Sequence, residues 1–430
     1  MRGPRTITDA VAGSPALRHT GALVAYAGIF SALLVPRLLP VRPGRILSNS
    51  PADGSILLWS LGWWPHALSG GHVLPYTTAV FAPGGTNLAW TTSIPLPGLL
   101  LWPVTETLGV FVAFNVLSLL AAVTAAWTTY LLVHRLTRAW WPALAAGLAF
   151  ALSPLQRSEL AIGHLNLALT ALVPLAAYLV VRRLEGTVSP PAFVALLGLV
   201  LAAEFGVSTE IFATMALFGG ITLAFVHLWD RALRPAVRRC AVLVASSYAL
   251  AGVLVSPMLF TAFAKPHPPA LGQSLSPFSG VRTTIAGPAT GPPGVASVPP
   301  GRDPAIAVLL IVPLVLICWH LALTRRRDPL VRALLATAAV ALMCSVGVLV
   351  VGTTTIPTPW SLVVHVPLLR LVRPQRLTMY AWLIAAVGLG VWMAERRTRL
   401  RWAAALAVAM MLAPMWWGSW TSVIPPSPWP

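Results

Sequence analysis

Charge is what this sequence has least of. Only 9% of its 430 residues are Asp, Glu, Lys or Arg, against about 25% in an ordinary soluble domain. So few charges cannot cover a water-facing surface, which excludes a soluble globular fold of this length. Lysine is nearly absent, Lys265 being the only one, and acidic residues number 11. Cysteine is equally scarce. Cys240, Cys318 and Cys344 lie in or beside apolar runs, which excludes a disulfide framework in an outer loop. No CxxC or Cys/His spacing exists, so no metal-ligand motif is present and the sequence names no cofactor. No cleavable signal is expected, because residues 1–19 are polar and the apolar run that follows is too long for an h-region. That run is read as a first membrane span.

What is present in abundance is apolar sequence, 57% of the chain. The fold class expected is all-α: a polytopic transmembrane helical bundle of about eleven spans, because backbone groups facing lipid must be paired within helices. The net charge of +18 does not imply a nucleic-acid partner. Its arginines sit in short clusters between apolar runs, which is the positive-inside pattern of a membrane protein. Arginine in place of lysine, with abundant alanine, suggests a GC-rich bacterial genome and hence a multi-pass protein of the bacterial cytoplasmic membrane.

Length and flanking charge place the spans at 20–39, 110–133, 140–153, 166–181, 192–207, 211–228, 241–263, 304–324, 334–351, 378–394 and 403–416. The whole chain, 1–430, reads as one transmembrane domain with outer segments at 41–95, 264–303 and 352–376 and no separate soluble domain. Residues 95–108 are too short and proline-containing for a span and read as a partial helix. With the N-terminus inside and the C-terminus outside, nineteen of the 29 basic residues fall in inner segments, as the charge rule requires.

Charges beside spans are costly and therefore informative. Six carboxylates map to the outer side: Asp53, Glu106, Glu159, Glu204, Glu210 and Asp303. In the first outer segment, Asp53-Gly54 opens a Trp-rich stretch in which Trp59 and Trp63 stand one helical turn apart, followed by Pro65, a kink or stop, and His66. One reading is an interfacial helix anchored by its tryptophans; Asp53 then serves as an N-cap or as a general base on an acceptor hydroxyl. Pro83-Gly84-Gly85 is turn chemistry, with no Gly-Lys-Ser/Thr to make a phosphate loop. Between two short spans lie Arg157, Glu159 and His164. The histidine is either a packed, hydrogen-bonded residue or part of a site with Asp53. Finally Arg370, Arg373 and Arg376 sit on the side the charge rule leaves poor in arginine. They either snorkel to headgroups or clamp a phosphate, whose oxygens match the guanidinium fork.

The order of these motifs (Asp-Gly and the Trp-rich helix, "FAPGGTNLAWTTSIPLPGLL", "SPLQRSELAIGHLNLALTALVPL", "EFGVSTEIFAT" and "VPLLRLVRPQRLTMY") resembles bacterial GT-C-fold membrane glycosyltransferases, and most closely an uncharacterised actinobacterial group of them. The resemblance implies sugar transfer from a polyprenyl-phosphate donor to an extracytoplasmic cell-envelope acceptor. It maps the catalytic carboxylate onto Asp53; beside it, Trp59, Trp63, His66, Arg157, Glu159 and His164 are the candidate substrate contacts, and Arg373 and Arg376 the candidate lipid-phosphate contacts. The chain departs from the family's double-carboxylate form, since nothing acidic follows Asp53 closely. Two alternatives stay open: a transporter or flippase of a lipid-linked intermediate, favoured by paired inverted repeats that are not seen here, and a catalytically inactive membrane scaffold.

Overall fold

The computed structural model describes residues 15–40, 42–71, 75–264, 282–284, 318–351, 354–356, 358–363, 366, 369, 372–395 and 421–424. They form a mostly helical protein. Its helices are α1 Pro15–Leu34, α2 Pro51–Ser69, α3 Pro95–Leu100, α4 Trp102–Leu108, α5 Val110–Thr137, α6 Trp140–Ala151, α7 Pro154–Ile162 and α8 Leu165–Ala168. There follow α9 Leu172–Leu184, α10 Pro190–Val207, α11 Thr209–Trp229, α12 Arg234–Leu254, α13 Ser256–Ala264, α14 Pro329–Ser345, α15 Trp360–Val363 and α16 Thr378–Glu395.

Among the described residues seven helical stretches are long and apolar enough to cross a membrane: Ala16–Leu38, Val110–Thr137, Leu165–Leu184, Pro190–Val207, Thr209–Trp229, Arg234–Leu254 and Pro374–Glu395. Six match expected spans closely; Arg234–Leu254 overlaps the expected 241–263, whose last residues form the separate α13. Two further expected spans coincide with shorter apolar helices, Trp140–Ala151 and Pro329–Ser345. The expected span 403–416, most of 304–324, Arg2, Arg5, Arg370 and the cluster Arg396–Arg401 lie outside the described residues, as does nearly all of the outer segment 264–303. The count of about eleven is therefore an expectation, and seven is what the helices establish.

Two expectations are corrected. The stretch 334–351 is not one helix: α14 ends at Ser345, Gly347 takes a positive φ, and Val348–Val351 is a strand paired with Thr354–Ile356 and Arg282–Thr284. A β-branched run after a glycine favours that outcome. Nor does Pro65 end its helix, since α2 continues to Ser69. Proline removes one intrahelical bond, but Trp64 and Pro65 are both buried, and that packing carries the helix past the gap.

With lipid as apolar as leucine, membrane helices associate by close packing of small residues. A β-carbon on Gly147 of α6 would meet the Tyr26 hydroxyl oxygen of α1 at 2.3 Å, and that hydroxyl donates to the Leu144 carbonyl. A β-carbon on Gly390 of α16 would lie 2.4 Å from Val133 of α5. Large apolar side chains such as Val24, Leu199 and Val242 remain mostly exposed on these helices, where hydrocarbon would cover them.

The bundle has two chemically different ends. At one, the Trp127 indole donates to the His19 carbonyl, Arg135 pairs with Glu185, and Arg325 pairs with Glu395. At the other, the Asn115 side chain at the start of α5 brackets the segment that leads into α2, accepting from the Leu47 N–H and donating to the Arg45 carbonyl. Strand Arg45–Ile46 pairs there with Ser422–Val423, so the chain's last described residues lie at the same end as α2.

Candidate functional site

Serine and glycine chemistry builds the site at this second end. Ser50 stands at the N-cap position of α2 without a side-chain capping bond, Pro51 occupies the first turn with its preset φ, and the Ser50 hydroxyl donates to Asp53 Oδ2 at 2.6 Å. Asp53 is thus not the N-cap residue; it stands in the first turn, where a carboxylate complements the helix dipole. Ser48 Oγ accepts from the Ser50 N–H and donates to the Ile162 carbonyl, and the Asn49 N–H donates to the Ala161 carbonyl at 2.7 Å. These bonds dock the start of α2 onto the end of α7.

The end of α7 is itself dictated by Gly163, which takes φ +91 as C-cap. A β-carbon there would stand 2.6 Å from Ser48 Oγ and 3.5 Å from the Gly54 Cα. Glycine therefore meets two demands at once, a left-handed turn and a close backbone approach. The turn sends His164 back over its own helix: its N–H donates to the Glu159 carbonyl at 2.9 Å, and its ring Nδ1 lies 2.7 Å from Glu159 Oε2.

From there a line of ionisable groups crosses the end of the bundle. His164 Nε2 is 3.5 Å from Asp53 Oδ1, Glu159 Oε1 is 3.4 Å from Arg376 Nε, and Arg376 Nη1 is 2.6 Å from Glu210 Oε2. Arg376 rides on a tight turn, Pro374–Leu377, that feeds α16; Glu210 lies in the first turn of α11, capped by Ser208. Exposure is greatest at Asp53, 41% for the side chain, and least at Glu159, 9%, with His164, Arg376 and Glu210 between them at 17–20%. A cavity of about 20 Å³, enough for one water, is bordered by Glu159, Glu210, Thr214 and Arg376.

This arrangement suits proton handling. A neutral imidazole donates from one nitrogen and accepts at the other. Nδ1 against Glu159 fixes the ring so that Nε2 faces Asp53, an accessible carboxylate. Among the described residues no group of three or more His, Cys, Asp or Glu is arranged to hold a metal ion.

Of the residues singled out from sequence, Asp53, Glu159, His164 and Arg376 come together. Arg157 lies two residues before Glu159 on α7 and is partly exposed. Arg373 is exposed, within electrostatic range of Glu210. Trp59, Trp63 and His66 do not join the cluster: at 1.5 Å rise per residue they lie about 9, 15 and 20 Å along α2 from Asp53. They form their own row, with Trp59 and Trp63 stacked at 5.2 Å and His66 5.8 Å from Trp63. Glu210 joins the cluster without having been assigned a role from sequence. Its only signal was an acid on the outer side, and its partner Arg376 lies 166 positions later.

No protein-family model matches the chain, and neither a curated protein nor a solved structure matches it.

Proposed function

We propose that this membrane protein is a glycosyltransferase that moves a sugar from a polyprenyl-phosphate donor to an extracytoplasmic cell-envelope acceptor. One observation carries the reading. The residue read as a base, Asp53, and the residue read as a phosphate ligand, Arg376, lie 323 positions apart yet share one line of contacts through His164 and Glu159. In the proposed reaction an acceptor hydroxyl oxygen bonds to the anomeric carbon as the bond from that carbon to the phosphate oxygen breaks. The hydroxyl proton passes to Asp53, with His164 Nε2 oriented beside it, and the bonding pair leaves with the phosphate. Arg373 and Arg376 offset the charge that develops there. The exposure of Asp53 suits a base that must meet an incoming acceptor.

The test is sugar transfer by purified, reconstituted protein from a labelled polyprenyl-phosphate sugar to a cell-envelope glycan. Transfer that requires the lipid-phosphate donor supports the reading. Movement of the labelled lipid between leaflets without transfer would replace it with the flippase alternative, and neither activity would leave the scaffold.

A further inference from the structure

The line of contacts ends on Glu210, whose position at Arg376 has a consequence for what the site can accept. We infer that Glu210 is a specificity-determining residue: it fixes Arg376 as a reader of a singly charged phosphodiester and disfavours a diphosphate. This rests on the lipid-phosphate donor proposed above.

The first part of the argument is positional. A guanidinium has five N–H donors in a rigid plane. In Arg376 the Nε–H faces Glu159 and one Nη1–H faces Glu210, which leaves three N–H groups for an incoming phosphate oxygen. Glu159 belongs to α7 and Glu210 to α11, so the two carboxylates grip the guanidinium from separate helices. An arginine held in this way offers its remaining fork at one place, and the ligand need not displace either acid.

The second part is charge. Around Arg376 itself stand two carboxylates, Glu159 and Glu210, while Asp53 lies further along the line against His164. A phosphodiester adds one negative charge beside these acids and a diphosphate adds at least two, in a partly buried setting where screening is weak. Glu210 also presents its second oxygen without a donor: Oε1 is buried and has no hydrogen-bond partner among the described residues, and the residue borders the same small cavity as Arg376 and Glu159. A bare acceptor beside the arginine fork repels an additional anionic oxygen and leaves the single diester as the better fit.

The experiment compares two probes on the full-length protein in detergent: a decaprenyl phosphate esterified to a hexose, and decaprenyl diphosphate. Wild type is expected to bind the diester at least about tenfold more tightly, a difference of about 1.4 kcal/mol. Glu210→Gln keeps the size and an acceptor for Arg376 but loses the charge, so it should bind the diphosphate about tenfold better than wild type does and narrow the preference. Glu210→Asp keeps the charge with a shorter reach; it should weaken both ligands together and preserve their ratio, and it stands as the second measurement if the Gln variant does not fold. A wild-type ratio in Glu210→Gln, or a ratio collapsed in Glu210→Asp, would overturn the inference while the donor reading stands. A wild-type protein that binds neither lipid overturns the donor reading, and this inference with it.

Discussion

Gly163 and Ser48 approach so closely that a β-carbon on the glycine would lie 2.6 Å from the serine Oγ. The contact locks the turn that carries His164 against the start of the Asp53 helix. Gly163→Ala should therefore act on the site more than on the bundle. Left-handed backbone alone costs a residue with a β-carbon about 1–2 kcal/mol, and the clash with Ser48 adds to it. The expected result is inserted, helical protein with a lower unfolding midpoint and greatly reduced sugar transfer. Wild-type transfer by this variant would show that the turn does not set His164.

Asp53→Asn keeps the shape and an acceptor for the Ser50 hydroxyl, so the helix start should survive. Transfer should fall by about 10²–10⁴-fold, the usual contribution of a general base. His164→Ala should lose less, because the ring stands 3.5 Å from Asp53 and orients rather than replaces it. Full turnover by the Asn variant would remove Asp53 from the mechanism.

Arg373→Lys and Arg376→Lys keep charge but lose the planar fork. If the arginines read phosphate, both variants should raise the KM for the lipid donor, and Arg376→Lys should do so more, since its fork is the one held by two acids. Donor use equal to wild type in both would reduce them to headgroup snorkelling.

Glu159 and Glu185 test how burial decides the worth of an ion pair. Glu159 is 9% exposed and contacts both His164 and Arg376. Breaking a buried pair by removing one partner costs about 3–5 kcal/mol, so Glu159→Gln should lower the thermal midpoint clearly. Glu185 pairs with Arg135 at the bundle's basic end, where the glutamate is 37% exposed. Surface pairs contribute under about 1 kcal/mol, and Glu185→Gln should melt close to wild type. Equal shifts for the two would refute this contrast.

Reporter fusions after Arg239 and after Pro430 check the proposed orientation, with cytoplasm expected for the first and exterior for the second. The pairing of Arg45–Ile46 with Ser422–Val423 ties the second fusion to the end of the bundle that holds Asp53. A cytoplasmic report from both would invert or break the topology.

Long apolar runs announced seven of the helices directly, because a helix is the local answer to a chain that must pair its backbone away from water. Length alone was a poorer guide where strand chemistry competed, as at Val348–Val351, and where packing overrode a local breaker, as at Pro65. In the site, sequence order brought out Asp53, His164, Glu159 and Arg376 as separate candidates, each with a bland alternative. It also grouped Trp59, Trp63 and His66 with them, although one helix holds those three a fixed distance down its axis from Asp53.

What the sequence determined by itself is thus the solvent the protein lives in, its helical class and the scarcity of charge that makes each polar residue near a span worth weighing. Which of those residues touch was decided only in three dimensions. Glu159 reaches His164 within one helical turn and a glycine, a local relationship that sequence can carry. Arg376 reaches Glu159 and Glu210 across 217 and 166 positions, and no local pattern encodes such a pairing. It arises because packing brings α7, α11 and the turn before α16 to the same end of the bundle, where the Arg376 guanidinium lies between the carboxylates of Glu159 and Glu210.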